Sequence, residues 1–356
     1  MLLKELRRFF SKIEESIGNN ILWVVEAMMR SGSANTSQLA LALSQIKQTS
    51  YKTSDMAIYR LLSNAGFKVG EIIFRCYINL ILAMLKEIGR LKKGEKIYVQ
   101  VDFTSERAHF LVLVASVLCC NKAIPLYFSI RKYPKKQGQY DHKKLEGSFI
   151  RALRHYLPKR YKYVILADRG FGNERFIKLC EEAKFEYLIR LEPNLKIAYK
   201  GQKGIMSKQL RRSGSYQVEV LTWKKTVKIY KNKQQGQEWY IVSNLEISHQ
   251  EGVASYAKRF RIEKLFQDLK SSGFNLEESK IRKYDRFKRL LFICCLAYSL
   301  MLLLGNFIDK ELSIKKKLTN IYKPFNSLFQ LAKKAFTYYT SDAYLLLGEL
   351  ISRLNL

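Results

Sequence analysis

Between residue 1 and about residue 90, apolar side chains recur every three or four positions, in 21–29, 36–46, 54–66 and 69–91. That is the repeat of one buried helix face, and the stretches contain little that alternates as a strand does. Thr36 or Ser37 is placed to cap the second helix and Ser54 or Asp55 the third, because a hydroxyl or carboxylate can satisfy the free amides of a first turn. Short polar connections separate these helices. Such a bundle is compatible with a helical DNA-binding module and equally with a bundle that never meets DNA.

From Lys96 the pattern changes to β-rich runs at 97–104, 109–120 and 123–130, separated by turns around Ser105 to Arg107 and Asn121 to Lys122. A helix over 141–157, a strand over 161–168, a helix over 173–184 and a strand over 186–192 follow. Three neighbouring strands and then alternating helix and strand is the order of an α/β, ribonuclease-H-like mixed sheet with helices on its faces. After Pro193 the alternation stops, and strand-like runs at 215–223, 225–232 and 238–245 predict an inserted antiparallel β subdomain. A long helical pattern begins near Ser248, and everything after Tyr284 is helical by pattern. The expected organisation is a helical DNA-binding region 1–92, a first part of the core 93–195, the β insertion 196–247, the remainder of the core 248–283 and a helical C-terminal region 284–356. No internal repeat is visible.

The run 290–308 approaches the length that crosses a bilayer. Ser299, Gly305 and Asn306 interrupt it and no second span accompanies it, so a buried core helix is the expectation and no membrane partner is implied. The N-terminal segment is charged and amphipathic without an export signal, which predicts a cytoplasmic protein. The six cysteines lack the spacing and histidine company of a zinc site and read as buried reduced thiols.

Charge narrows the class of partner. Lys and Arg number 63 against 31 acidic residues, a net charge of +32 spread along the whole chain. Although a lysine-rich composition can reflect genome bias, an excess of this size points to a polyanion, and nucleic acid is the commonest one.

Three acidic residues then stand out. Asp102 interrupts an apolar strand, where an unpaired carboxylate is costly. Asp168 ends a strand before the glycine turn of the sequence LADRGFG, at the strand end where functional groups of open sheets gather. Either aspartate alone has an ordinary reading as a turn former or helix cap. In 254–273, at about 100° per residue, Tyr256, Arg259, Glu263 and Lys270 fall on one narrow stripe. Ile262, Leu265, Phe266 and Leu269 form a separate apolar face. A solvated row of ion pairs would show the same spacing.

The series Tyr-x2-Arg-x3-Glu-x6-Lys, realised as Tyr256, Arg259, Glu263 and Lys270, resembles the YREK signature of the insertion-sequence-four family of DDE transposases. The VDFT around Asp102, the LADRGFG around Asp168 and the approach to Glu263 resemble the family's other motifs in the same order, over about 96–280. The resemblance implies a metal-dependent enzyme that cuts and rejoins DNA, with Asp102, Asp168 and Glu263 as catalytic residues and ligands of two Mg2+ (or Mn2+) ions. Such ions activate a water or 3′-hydroxyl and stabilise the leaving oxygen. It further implies DNA contacts from Arg259, Lys270 and Tyr256. The partners implied are the element's terminal inverted repeats, target DNA and a second copy of the chain on DNA.

Relatives also carry a β insertion, some with an aromatic that holds a flipped base while a hairpin forms. Trp223 and Trp239 are the aromatics available here, and a buried structural role is the other reading of each. A DNA-binding derivative without catalysis and a non-transposing nuclease of the same fold are the competing functions.

Overall fold

The computed structural model describes residues 2–88, 91–92, 94–106, 109–133, 142–234, 236–271, 273–311 and 327–354. Five helices come first: α1 (Leu2–Phe9), α2 (Glu15–Ser31), α3 (Thr36–Lys47), α4 (Tyr51–Ser63) and α5 (Glu71–Glu87). The caps of α3 and α4 lie earlier than the hydroxyl pattern suggests. Asn35 accepts from the Ser37 amide, and Ser50 accepts from the Thr53 amide. Ser54 is instead buried within α4, because the helix needs one more turn to bring Ile58, Leu61 and Leu62 into the core.

The strands β1 (Lys96–Glu106), β2 (Phe110–Cys119) and β3 (Lys122–Lys132) form an antiparallel meander, and β4 (Lys162–Ala167) and β5 (Glu186–Arg190) run parallel to β1. Helices α6 (His142–Tyr156) and α7 (Glu174–Glu182) make the crossovers. The order β3-β2-β1-β4-β5 is that of a ribonuclease-H-like fold. Asp141, expected to open α6, lies outside the described residues.

The inserted strands continue the same sheet. β6 (Lys196–Tyr199) and β7 (Gln202–Ile205), with the one-turn α8 (Met206–Gln209), precede β8 (Gly214–Val220), β9 (Lys225–Gln234) and β10 (Gln237–Ser243). β10 pairs antiparallel with β5, so one ten-stranded sheet runs from β3 to β7. The pair β6 and β7 escapes the hydropathy pattern, since only Ile197 of these eight residues is buried.

The chain then forms α9 (His249–Ala257), a 3-10 turn at Lys258–Phe260, α10 (Arg261–Lys270), α11 (Tyr284–Lys310), α12 (Leu328–Tyr338) and α13 (Thr340–Ser352). Helix α11 is the apolar run. In its most apolar 18 residues 89% are buried, packed among α2, α4, α12, α13 and β3. The Tyr77 hydroxyl of α5 donates to the Pro125 carbonyl of β3 at 2.7 Å and lies 2.8 Å from the Ser299 hydroxyl of α11, joining three elements at one buried point. Ser299, a break in the apolar run, therefore has a polar partner inside the core.

Alternation along the strands creates two cores. Ile97, Val99 and Val101 join the main one. Val164, Leu166, Leu188, Trp239 and Ile241 face a smaller one, closed by Tyr256 of α9 and, at its margin, by Phe260 of the turn. Gly252 permits that closure, because a Cβ there would stand 2.8 Å from the Tyr230 ring.

Candidate active site

Register brings the two aspartates together. Val101 of β1 pairs with Ala167 of β4, so Asp102 and Asp168 are the next positions on adjacent parallel strands, about 5 Å apart. They share the face beneath α9. Asp168 also caps the loop that follows: its Oδ1 accepts from the Gly170 amide at 2.9 Å. Gly172 is needed in that loop, since a Cβ would lie 2.3 Å from the Arg190 carbonyl oxygen.

Glu263 arrives from a different direction. The Tyr256-to-Lys270 stripe is not carried by one uninterrupted α-helix, because the 3-10 turn at Lys258–Phe260 separates α9 from α10. Arg259 lies in that turn and is buried, 6% exposed. Its Nη1 donates to Asp102 Oδ2 at 3.2 Å and its Nη2 to Glu263 Oε1 at 2.8 Å. One guanidinium thus joins two carboxylates that are far apart in sequence, which holds those two oxygens within about a nanometre of each other.

The electrostatics agree with crowding. Burial, followed by the nearby charge of Asp168, raises the Asp102 carboxyl from 3.8 to about 6, against the opposing influence of Arg259 and the Phe103 amide. Glu263 adds a further raising contribution. Burial works against the Arg259 charge, but Tyr256, Glu263 and Asp102 outweigh it and hold the guanidinium above its ordinary value.

The other residues singled out from sequence are placed differently. Tyr256 is fully buried in the second core, and burial pushes its hydroxyl up to about 12. That hydroxyl and Arg259 Nε are both buried without a regular hydrogen bond. Trp239 is buried as well, edge-on to Tyr256 and stacked on Phe260 at 5.5 Å between centroids. A base reaching that ring would have to displace α9. Trp223 is half-buried in the turn after β8, and Lys270 is half-buried at the C-terminal end of α10.

Two residues that the sequence pattern did not single out, Arg190 and Asp268, share this neighbourhood. Arg190, at the end of β5, feels the charges of Tyr256, Arg169 and Arg259, and burial with the two like charges lowers its own value. Its position beside Asp168 follows from strand order, which no local motif announces. Asp268, on α10 five residues after Glu263, is also buried. It accepts from the Tyr298 hydroxyl of α11 at 3.2 Å and pairs with Lys264 at 3.1 Å, fixing α10 against the core.

Among the described residues, no group of three or more His, Cys, Asp or Glu side chains stands ready-made around one metal position. The donors nevertheless suit a hard divalent cation. Asp102 and Asp168 are neighbouring oxygen ligands whose mutual repulsion a cation would relieve. The Glu263 side chain, 58% exposed, adds a third carboxylate on the other arm of the Arg259 guanidinium.

Residues 135–300, a little under half of the chain, match the family model described as the transposase DDE domain, a match that supports a DDE transposase. The matched segment contains Asp168, Glu263 and the turn that carries Arg259, whereas Asp102 precedes it. No curated protein matches. Among solved structures, endonuclease V of Ciona intestinalis, in complex with a 24mer DNA containing an inosine followed by a ribo-adenosine, aligns at 11% identity and a TM-score of 0.29. The alignment covers 52% of this chain and 96% of that one.

Proposed function

We propose that this protein is the DNA transposase of an insertion sequence, binding the element's terminal inverted repeats and carrying out Mg2+-dependent cleavage and strand transfer. One observation carries the reading: Arg259 grips Asp102 and Glu263 at 3.2 and 2.8 Å while Asp168 occupies the strand position beside Asp102. Arg259 links the carboxylates of β1 and α10, and Asp168 follows β4 beside the first of them, which supports a shared ion site for the three. The transposase family match over 135–300 supports the same reading.

Asp102, Asp168 and Glu263 are assigned as the residues that would hold the divalent ions. Bound there, divalent ions supply charge for a phosphodiester displacement and acidify the attacking water or hydroxyl. The chain's own residues do the positioning. Arg259 grips Asp102 and Glu263, Asp268 and Tyr298 fix the helix that carries Glu263, and Lys270, further along that helix, is assigned to a phosphate. The helical region 1–92, with α3 and α4 joined by three residues, is assigned to DNA recognition, and a pair of DNA ends requires at least two copies.

The decisive assay uses DNA bearing the element's terminal repeats with Mg2+. Wild type is expected to give cut ends and joined products, and Asp168→Ala neither. Nicks without joining would make the protein a nuclease instead. No cleavage by wild type, with tight DNA binding retained, would leave only a DNA-binding role.

A further inference from the structure

The segment that follows α10 is as basic as any in the chain. From 279 to 289 it carries Lys280, Arg282, Lys283, Arg286, Lys288 and Arg289 against Asp285 alone. Lys280, Arg282 and Lys283 are exposed. Among the described residues, none of these three pairs with a carboxylate, whereas Lys264 and Arg259 on the preceding elements do. Clustered exposed cations repel one another unless a polyanion covers them.

This strap is fastened to α4. Arg289, in the first turns of α11, donates to the carbonyl oxygens of Leu62 at the C-terminal end of α4 and of Phe67 in the loop beyond it, both at 2.8 Å. Arg286 stacks over the Tyr59 ring at 4.2 Å. Further back, the Ala34 amide before α3 donates to the Phe274 carbonyl at 2.6 Å. The helix pair α3–α4 is thus anchored at three points on the segment that leads away from Glu263.

Apart from the Arg286 contact at Tyr59, one face of helix α4 is open to solvent. Ser54, Ile58, Leu61 and Leu62 are buried, while Lys52, Met56, Tyr59 and Arg60 are exposed along the opposite side. Met56 is 41% and Tyr59 50% exposed, and Tyr51 at the start of the same helix 47%. Large apolar groups flanked by cations suit a surface that meets base edges and methyl groups between two rows of phosphates. A helix with side chains, roughly 10–12 Å across, fits a major groove about 12 Å wide.

We infer that α4 and the strap form one docking surface for duplex DNA, with the Lys52, Met56 and Arg60 face of α4 in the major groove and Lys280, Arg282 and Lys283 on the flanking phosphates. The inference rests on the reading of the chain as a protein that acts on DNA, and it assigns contacts away from the carboxylates. Arg286 and Arg289 are positioning residues. They hold the groove helix at a set distance from Glu263, so that binding and cutting share one rigid frame.

The test is equilibrium binding of the full chain to labelled duplex DNA in EDTA across a salt series. Lys280→Ala/Arg282→Ala/Lys283→Ala is expected to weaken binding at low salt by tenfold or more. It should also reduce the slope of log affinity against log salt by roughly 2 to 3, since each lost phosphate contact removes about 0.9. The charge-conserving Lys280→Arg/Arg282→Lys/Lys283→Arg should retain both. Lys52→Ala/Arg60→Ala should alter the sequence selected from a random duplex pool.

An unchanged slope in the triple alanine variant would overturn the surface, as would equal loss in the charge-conserving variant or equal competition by single-stranded DNA. Because divalent ion is absent, the two readings separate cleanly. Unchanged binding by the triple variant beside Mg2+-dependent cleavage by wild type would sink this surface and leave the enzyme standing. The expected binding losses in a protein that never cleaves would do the opposite.

Discussion

Arg259 and Glu263 stand one helical turn apart, and the arginine reaches both forward to that glutamate at 2.8 Å and across to Asp102 at 3.2 Å. A sequence stripe suggests two residues that face the substrate side by side. In the folded chain one of them instead grips the other.

Removing the clamp should therefore disturb the carboxylates themselves. Arg259→Ala loses two charge-assisted hydrogen bonds, each contributing about 1.5–3 kcal/mol, and takes away the cation that lowers Asp102. The pH at which Mn2+ binding is half-maximal, measured by calorimetry, should shift upward. Arg259→Lys should restore it only in part, because one ammonium does not reproduce a two-pronged fork. An unshifted profile in Arg259→Ala would refute the clamp.

Asp102 itself predicts a pH-dependent stability. Its carboxyl is raised from 3.8 to about 6, first by burial and then by Asp168. Between those values the folded chain keeps a proton that the unfolded chain has released, so the ion-free protein loses stability as pH rises through that window. In EDTA at about pH 7, Asp102→Asn should melt above wild type by on the order of 1–2 kcal/mol, with the gap closing near pH 4. Mg2+ should stabilise wild type and leave the variant unmoved. A variant that melts lower than wild type at both pH values would count against the burial and charge crowding described above.

Gly172 makes a steric prediction. With a Cβ 2.3 Å from the Arg190 carbonyl oxygen, Gly172→Ala must push the loop after β4 away from β5. The expected cost is about 1–3 kcal/mol in urea unfolding, together with lower cleavage, since the same loop holds Asp168. Wild-type stability in the alanine variant would mean that the loop can yield without effect.

The Tyr298 hydroxyl supports the glutamate helix from below. Tyr298→Phe leaves the buried Asp268 carboxylate with one partner fewer, which should destabilise the protein by about 1–3 kcal/mol. If the contact positions Glu263, DNA binding in EDTA should be retained while cleavage at saturating DNA falls. Equal losses in both would assign Tyr298 to general stability.

Some of this was legible in the linear chain because it depends on local repeats. Helical periods marked the bundle and α11, β-rich apolar runs marked β1 to β5, and the change of pattern at Pro193 marked the insertion. Asp102 and Asp168 stood out as carboxylates in apolar strands, and the motif around Glu263 tied them to a transposase-like arrangement. Burial and charge composition act residue by residue, so a single sequence can display them.

What only the tertiary structure decided depends on contacts between distant segments. β6 and β7 gave no pattern because they lie on the far edge of the sheet, with one buried residue between them. The insertion became part of the main sheet because β10 found the free edge of β5. Tyr256 and Trp239 were drawn into the second core, where aromatic area is worth more buried than exposed. The pairing of Arg259 with Asp102, the approach of Arg190 and the anchoring of α4 on the basic strap each join segments brought together by packing. Their neighbours in sequence carry no trace of them, because Leu62 lies 227 residues from Arg289, Asp102 lies 157 residues from Arg259, and Arg190 comes beside Asp168 only through the pairing of β4 with β5.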